Sequence, residues 1–231
     1  GVVNGVTYTK RTKEQITEAN AATTCTSGIT DMSYMFNGET NFNRDISTWD
    51  VSSVTTMEGM FEDTFDFNQD ISNWDVSNVT IMAGMFSRAY GFNQPIGDWD
   101  VSSVTNMQSM FYDNPSFNQP IGNWDVSSVT TMRSMFGEAI FFNQPLGDWD
   151  VSNVTDMVNM FGSYDGTIST VFNQPIGNWD VSNVTNMAGM FQNNIEFDQP
   201  IGDWDVSNVE TMIVMFDNAP LFNQDISNWD V

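Results

Sequence analysis

Eight tryptophans stand on a nearly fixed ruler: Trp49, Trp74, Trp99, Trp124, Trp149, Trp179, Trp204 and Trp229. The interval is 25 residues everywhere except between Trp149 and Trp179, where it is 30. Each lies in one phrase, Phe-Asn-Gln-(Pro/Asp)-Ile-(Gly/Ser)-x-Trp-Asp-Val-Ser-(Asn/Ser)-Val-Thr-x-Met-x-x-Met-Phe. A fixed period of about 20–50 residues implies stacked supersecondary units, each unable to bury its apolar face alone. Architecture is therefore constrained before any single element is assigned.

Within a repeat, Thr80 is placed to N-cap a short helix over 81–87, with Met82, Met85 and Phe86 on one face. A variable turn follows, and Phe92 to Trp99 returns as a short extended segment. One strand and one helix per 25 residues is the economy of a leucine-rich repeat. The expected fold class is an α/β repeat solenoid, leucine-rich-repeat-like, a right-handed stack of short parallel strands and short helices.

Residues 1–29 depart from the phrase and read as an N-terminal cap. Asn4-Gly5 between β-branched residues signals a hairpin. Thr12 and Gln15 suit a capping box, and residues 16–22 a short amphipathic helix. The array of about eight repeats then occupies 30–231, with a five-residue insertion within 162–171 and an end in mid-phrase. The absence of a leader-like start and that abrupt end suggest a segment of a longer protein.

The formal net charge is −24, from 30 acidic and 6 basic residues. Lys10, Arg11 and Lys13 face only Glu14 and Glu18 in the first 24 residues, so the cap carries about +1 and the array the rest. Phosphate binding needs clustered Lys and Arg, so nucleic acid and anionic membrane are poor partners. No run approaches the ~20 apolar residues of a membrane-crossing helix. There is no His, and Cys25 is the single cysteine. Zinc sites, His-based triads and intrachain disulfides are excluded from this chain alone. Cys25 is expected to be buried at the junction of cap and array.

The recurring columns read as scaffold. Phe42, Phe67, Phe92, Phe117, Phe142, Phe172, Phe197 and Phe222 form one apolar spine. The tryptophans form a second, and the Met-Phe pairs from Met35-Phe36 to Met215-Phe216 a third. An amide column (Asn43, Asn68, Asn93, Asn118, Asn143, Asn173, Asn223, with Asp198 in the seventh repeat) is expected to satisfy turn backbone. Pro-Ile/Leu-Gly alternates with Asp-Ile-Ser as two ways to make one bend.

An aspartate follows every tryptophan. Stacked carboxylates repel, so each needs compensation. Asx-type capping by the following Ser is the simpler account; calcium shared between repeats through Asp75, Asp100, Asp125, Asp150 and Asp180 is the functional alternative. A glycosidase-like acid pair should be unique, and almost every acid here belongs to a repeated column, so no catalytic residues are assigned and no enzyme is expected. The variable turns and the insertion remain, with Tyr90, Tyr112, Tyr164 and Asp165 as candidate ligand contacts.

The phrase resembles the bacterial surface protein repeat of about 25 residues, the BspA-like group of mycoplasma and Listeria lipoprotein-type repeats. The resemblance covers about residues 25–231, and Cys25 to Met32 resembles the family's usual start. It implies a leucine-rich-repeat-like scaffold on secreted or cell-surface proteins and supplies no catalytic residues. The expected function is a non-catalytic module for binding or adhesion to a protein or carbohydrate ligand. The alternative is a spacer stiffened by repeat packing, with Ca²⁺ on the Asp column and otherwise no cofactor.

Overall fold

The computed structural model describes residues 1–3 and 5–230. Residues 31–55, 56–80, 81–105, 106–130, 131–155, 156–185, 186–210 and 211–230 form coils 1 to 8. Parallel bridges join their first residues in series, from Asp31↔Thr56 through Ile81↔Asn106 to Asn186↔Thr211.

The segment expected to be helical is not a helix. In coil 3, residues 82–89 form a ribbon of overlapping turns: Met85 N–H donates to Met82 O, Ser87 to Gly84 O and Ala89 to Phe86 O. The alternate N–H groups of Met82, Gly84, Phe86 and Arg88 donate to Asn106, Gln108, Met110 and Tyr112 carbonyls of coil 4, at 2.8–3.0 Å. Every coil from 1 to 7 passes four such alternate N–H groups to the next coil, so these ribbon donors all point one way along the stack. In the first and last of these three turns the third residue takes positive φ, Gly84 and Arg88 in coil 3. Tyr34, Gly59, Gly84, Ser109, Ser134, Asn159, Gly189 and Val214 form one such column, and Gly38, Asp63, Arg88, Asp113, Glu138, Asn193 and Asn218 a second. A lone helix of under two turns nucleates poorly, whereas the ribbon satisfies every second N–H on a neighbour. The Met, Met, Phe spacing serves either geometry, which is why periodicity alone suggests a helix.

The Phe-to-Trp segment, expected to be a strand, carries no backbone ladder. Its coil-to-coil bonds come from side chains. Asn93 Oδ1 accepts the Asn118 N–H at 3.1 Å and Gln119 Nε2 at 3.0 Å. Asp198 does the same for Asn223 and Gln224. Each indole N–H donates to a carbonyl one coil back, as from Trp124 to Ile96 at 3.1 Å. Further on, Thr105 donates both N–H and Oγ1 to the Thr80 carbonyl.

Between these two walls lies the core. In coil 3 it comprises Met82, Met85, Phe86, Ala89, Phe92, Ile96, Trp99, Val101 and Val104, all buried. Phe86 stacks on Phe92 at 3.9 Å within the coil and on Phe111 at 5.7 Å in the next. Trp124 lies parallel to Trp149, centroids 6.5 Å apart. Burying each such side chain contributes about 1.5–3 kcal/mol.

The Pro-x-Gly turns explain their own covariation. A Cβ on Gly122 would lie 2.6 Å from the Pro145 carbonyl oxygen. Gly202 meets the same obstacle from Asp225, so the close approach follows from a coil's own Pro-x-Gly turn and not from the residue stacked on it. In the Asp-Ile-Ser coils the bend is an Asx turn, with Ser47 N–H and Oγ donating to Asp45 Oδ1.

At the N-terminus, β1 (Val2–Val3) pairs antiparallel with β2 (Val6–Thr7), the hairpin the sequence predicts; Asn4 of its turn lies outside the described residues. Two 3-10 helices, Lys13–Gln15 and Glu18–Thr23, replace the expected amphipathic helix. Thr12 and Gln15 form the predicted capping box, Gln15 Oε1 accepting the Thr12 N–H at 3.0 Å. β3 (Thr9–Lys10) runs parallel to β4 (Thr24–Cys25). The Ala21 carbonyl accepts the Trp49 indole N–H, so this region substitutes for a preceding coil. Cys25 is half-buried, not buried, with Sγ 3.6 Å from Ser27 Oγ.

Candidate binding surface

The side chains of the ribbon and the turn after it are what varies from coil to coil. The residue after the first core Met runs Ser33, Glu58, Ala83, Gln108, Arg133, Val158, Ala188, Ile213. The exposed large hydrophobics fall almost wholly here: Tyr34, Phe65, Tyr90, Phe141, Tyr164, Ile213, Val214 and Leu221, with only Val2 and Val6 of the cap elsewhere. Among the described residues, the faces carrying Trp-Asp-Val-Ser and Asn-Gln expose none.

Coils 2 to 5 bring two of the four predicted contact residues together. Phe65 and Tyr90 stack at 4.7 Å with an interplanar angle of 17°. Tyr90 Oη donates to Asp113 Oδ2 at 3.2 Å. Tyr112 follows in coil 4, half-buried, and its hydroxyl is pushed up to about 12 by burial and by the charge of Glu138. Burial raises Asp113 above the ordinary aspartate value and, with Asp63 beside it, raises Glu62 above the ordinary glutamate value. Arg88 is tied to Asp63 at 2.6 Å, and Arg133 of coil 5 reaches Asp156 of coil 6 at 3.7 Å. In coil 1, Tyr34 Oη donates to Glu58 Oε1 at 2.5 Å, which raises the phenol to about 12.

Tyr164 and Asp165 form a separate patch. The insertion is stitched into the stack at both ends: Ser163 N–H donates to the Gln192 carbonyl at 2.9 Å, and Thr170 bridges Asn194. Thr170 Oγ1 donates to the Phe161 carbonyl at 2.6 Å. The tip closes on itself, Asp165 Oδ1 accepting N–H and Oγ1 of Thr167 at 2.8 and 2.7 Å. Tyr164 stands 54% exposed and accepts a hydrogen bond from Arg133 Nη2 at 3.3 Å. Asp165 is therefore a turn former, and Tyr164 the side chain this loop presents.

The aspartates after tryptophan take an Asx turn from Asp50 to Asp205. Ser102 N–H and Oγ donate to Asp100 Oδ1 at 3.1 and 2.6 Å, and the same pair recurs at Asp75, Asp125, Asp150 and Asp180. The serine contacts hold Asp100, Asp125 and Asp180 below the ordinary aspartate value, outweighing the neighbouring aspartate charge on Asp100 and Asp180. Among the described residues, no group of three or more Cys, Asp or Glu side chains is arranged to hold a metal ion.

Sequence reasoning did not single out Asp63, Asp113 and Glu138, which surround the tyrosines. They share the second positive-φ column, whose mixture of Gly, Asp, Asn, Arg and Glu is its only sequence signal. Among the described residues, no helix is long and apolar enough to cross a membrane.

A family model described as "Mycoplasma protein of unknown function, DUF285" matches residues 7–114, 94–169 and 167–231. No curated protein and no solved structure matches the chain. The repeated matches follow the array from the cap to its last coil, and the chain belongs to the DUF285 family, a Mycoplasma repeat family of unknown function.

Proposed function

We propose that this chain is a non-catalytic binding module, secreted or displayed at a cell surface, which engages a protein or glycan through the side chains of its turn ribbon. The fold reading that goes with it is a leucine-rich-repeat-like solenoid in which turn ribbons replace the helices. The observation that carries the functional reading is the segregation of exposed hydrophobics. Among the described residues, all of those in the array stand on the ribbon, the adjoining turns and the insertion, while the other faces expose no large hydrophobic side chain. A patch of exposed aromatic and aliphatic side chains on an otherwise polar surface marks an interaction site. The likeness of the repeat to BspA-like surface proteins points the same way.

The test is capture followed by substitution. The chain is immobilised and screened against glycans and surface proteins. Phe141→Ser and Tyr164→Ser are expected to weaken whatever binds by about tenfold each, the loss of one well-placed aromatic contact. Asp100→Asn and Asp125→Asn, on another face, should leave binding intact. Binding that ignores the ribbon substitutions and fails with the Asp column would sink this assignment. Calcium on that column has its own check: millimolar Ca²⁺ against chelator should shift thermal unfolding if the ion is shared between coils.

A further inference from the structure

Coils 2 to 5 carry something more specific than scattered exposed side chains. Phe65, Tyr90, Pro115 and Ile140 occupy the same position in four successive coils, and Phe141 stands beside the last of them. Phe65, Tyr90 and Phe141 are 38%, 37% and 63% exposed. The first two rings are already stacked at 4.7 Å, and Tyr90 is held by its bond to Asp113. Little side-chain entropy remains to be lost when a partner covers them.

The spacing discriminates between partners. Coils that pair in parallel repeat at about 4.8 Å, so four rungs span about 14 Å. Side chains on one face of an α-helix recur every three or four residues, about 4.5–6 Å along its axis. Same-side residues of a strand recur at about 6.6 Å and fall out of step within two rungs. Charge adds a second constraint. Asp66 follows Phe65, Asp113 holds Tyr90, and Glu62 and Asp63 lie just before Phe65 in the same coil. The two arginines of coils 2 to 5, Arg88 and Arg133, are paired to Asp63 and Asp156 and leave the surface acidic. Burial and mutual repulsion already disfavour ionisation at Glu62. A cation placed there offsets the repulsion between the carboxylates.

We infer that the stripe formed by Phe65, Tyr90, Pro115 and Ile140 docks a basic amphipathic helix lying along the stack, its apolar face on the rings and its Lys or Arg side chains on the flanking carboxylates. This rests on the reading of the ribbon side as the binding surface and narrows it to one partner class.

The probe is a fluorescent amphipathic Leu/Lys peptide of about 14 residues, long enough to cover four coils at 1.5 Å per residue. Two controls share its length: one with Glu for Lys, and one with Ser for Leu. Binding is expected for the Leu/Lys peptide only. The double variant Phe65→Ser, Tyr90→Ser should weaken it at least tenfold while leaving the thermal unfolding midpoint close to that of the parent. Asp66→Asn should weaken it several-fold at low salt and little near 1 M, where the screening length is about 3 Å. Equal binding of the Ser/Lys peptide, or equal loss on Asp100→Asn with Asp125→Asn, means diffuse attraction to an acidic protein and overturns the proposal. A glycan or a neutral protein that binds through Phe65 and Tyr90 also overturns it, yet leaves the ribbon as the binding surface. Binding that no ribbon substitution affects removes both.

Discussion

The two walls of each coil solve one problem by opposite means. The turn ribbon passes four backbone N–H bonds to the next coil, from Met82, Gly84, Phe86 and Arg88 in coil 3, and needs no particular outward side chain. The Phe-to-Trp wall passes its bonds through Asn, Gln and indole side chains and keeps a side-chain oxygen acceptor in place, with Asp198 standing in for Asn in coil 7. Where backbone does the stacking, side chains are free to vary; where side chains do it, they are fixed. Sequence variation between repeats therefore marks the side whose surface can be put to another use.

That contrast can be attacked in order of expected effect. Phe111 belongs to the core both walls share, touching Phe86, Phe117 and Phe136. Phe111→Ala should cost about 3–5 kcal/mol, read from urea denaturation. Trp124→Phe removes one of the two donors to the Ile96 carbonyl, which keeps the Trp99 N–H, and trims the buried ring; together these should cost about 1–3 kcal/mol. A Phe that is tolerated freely would show the indole bond to be dispensable.

The direct comparison between walls comes next. Asn93→Ala removes the acceptor for two donors of coil 4 and should cost about 1–2 kcal/mol. Gln108→Ala, on the ribbon, should stay within about 0.5 kcal/mol. Similar losses at the two sites would break the distinction. Within the ribbon, Val214 is a β-branched residue at φ 54°. Val214→Gly should raise the unfolding midpoint, the relief of left-handed strain exceeding the added freedom of the unfolded chain by up to about 1 kcal/mol; a lower midpoint would show that Val214 bears no strain.

The smallest effect is a difference in titration. Serine contacts depress Asp100, Asp125 and Asp180 below 3.8 in the folded chain. Their stabilisation is complete above that ordinary value and is lost as pH falls through the lower folded one. Glu62 and Asp113 are raised, chiefly by burial. They destabilise the fold above their folded values, and this is relieved as pH falls through them. Carboxyl NMR titration should place Glu62 above 4.5 and Asp113 above 3.8, with Asp100 below 3.8. All following one curve would mean that the two walls present the same electrostatic surface.

Much of this was legible in the chain. The tryptophan interval gave the coil length, and the recurring Phe, Met and Trp columns are the core that the structure buries. The Asx reading of the Asp column holds at the serines that follow it. The hairpin at the start is present, though the cap helices are 3-10. Tyr90 and Tyr112 fall near one another on coils 3 and 4, while Tyr164 stands apart and Asp165 is spent on its own turn.

The sequence by itself determined the period, the core columns and the position of the one interruption, because each is a pattern of side-chain types. Tertiary structure decided which wall carries the backbone ladder. Met and Phe spaced three and four apart fit a helix as well as a ribbon, and only stacked neighbours supply the carbonyls that make the ribbon's left-handed residues worthwhile. It also decided which variable residues meet. Phe65 and Tyr90 lie 25 positions apart in the chain, yet stack at 4.7 Å because coil-to-coil register places them there.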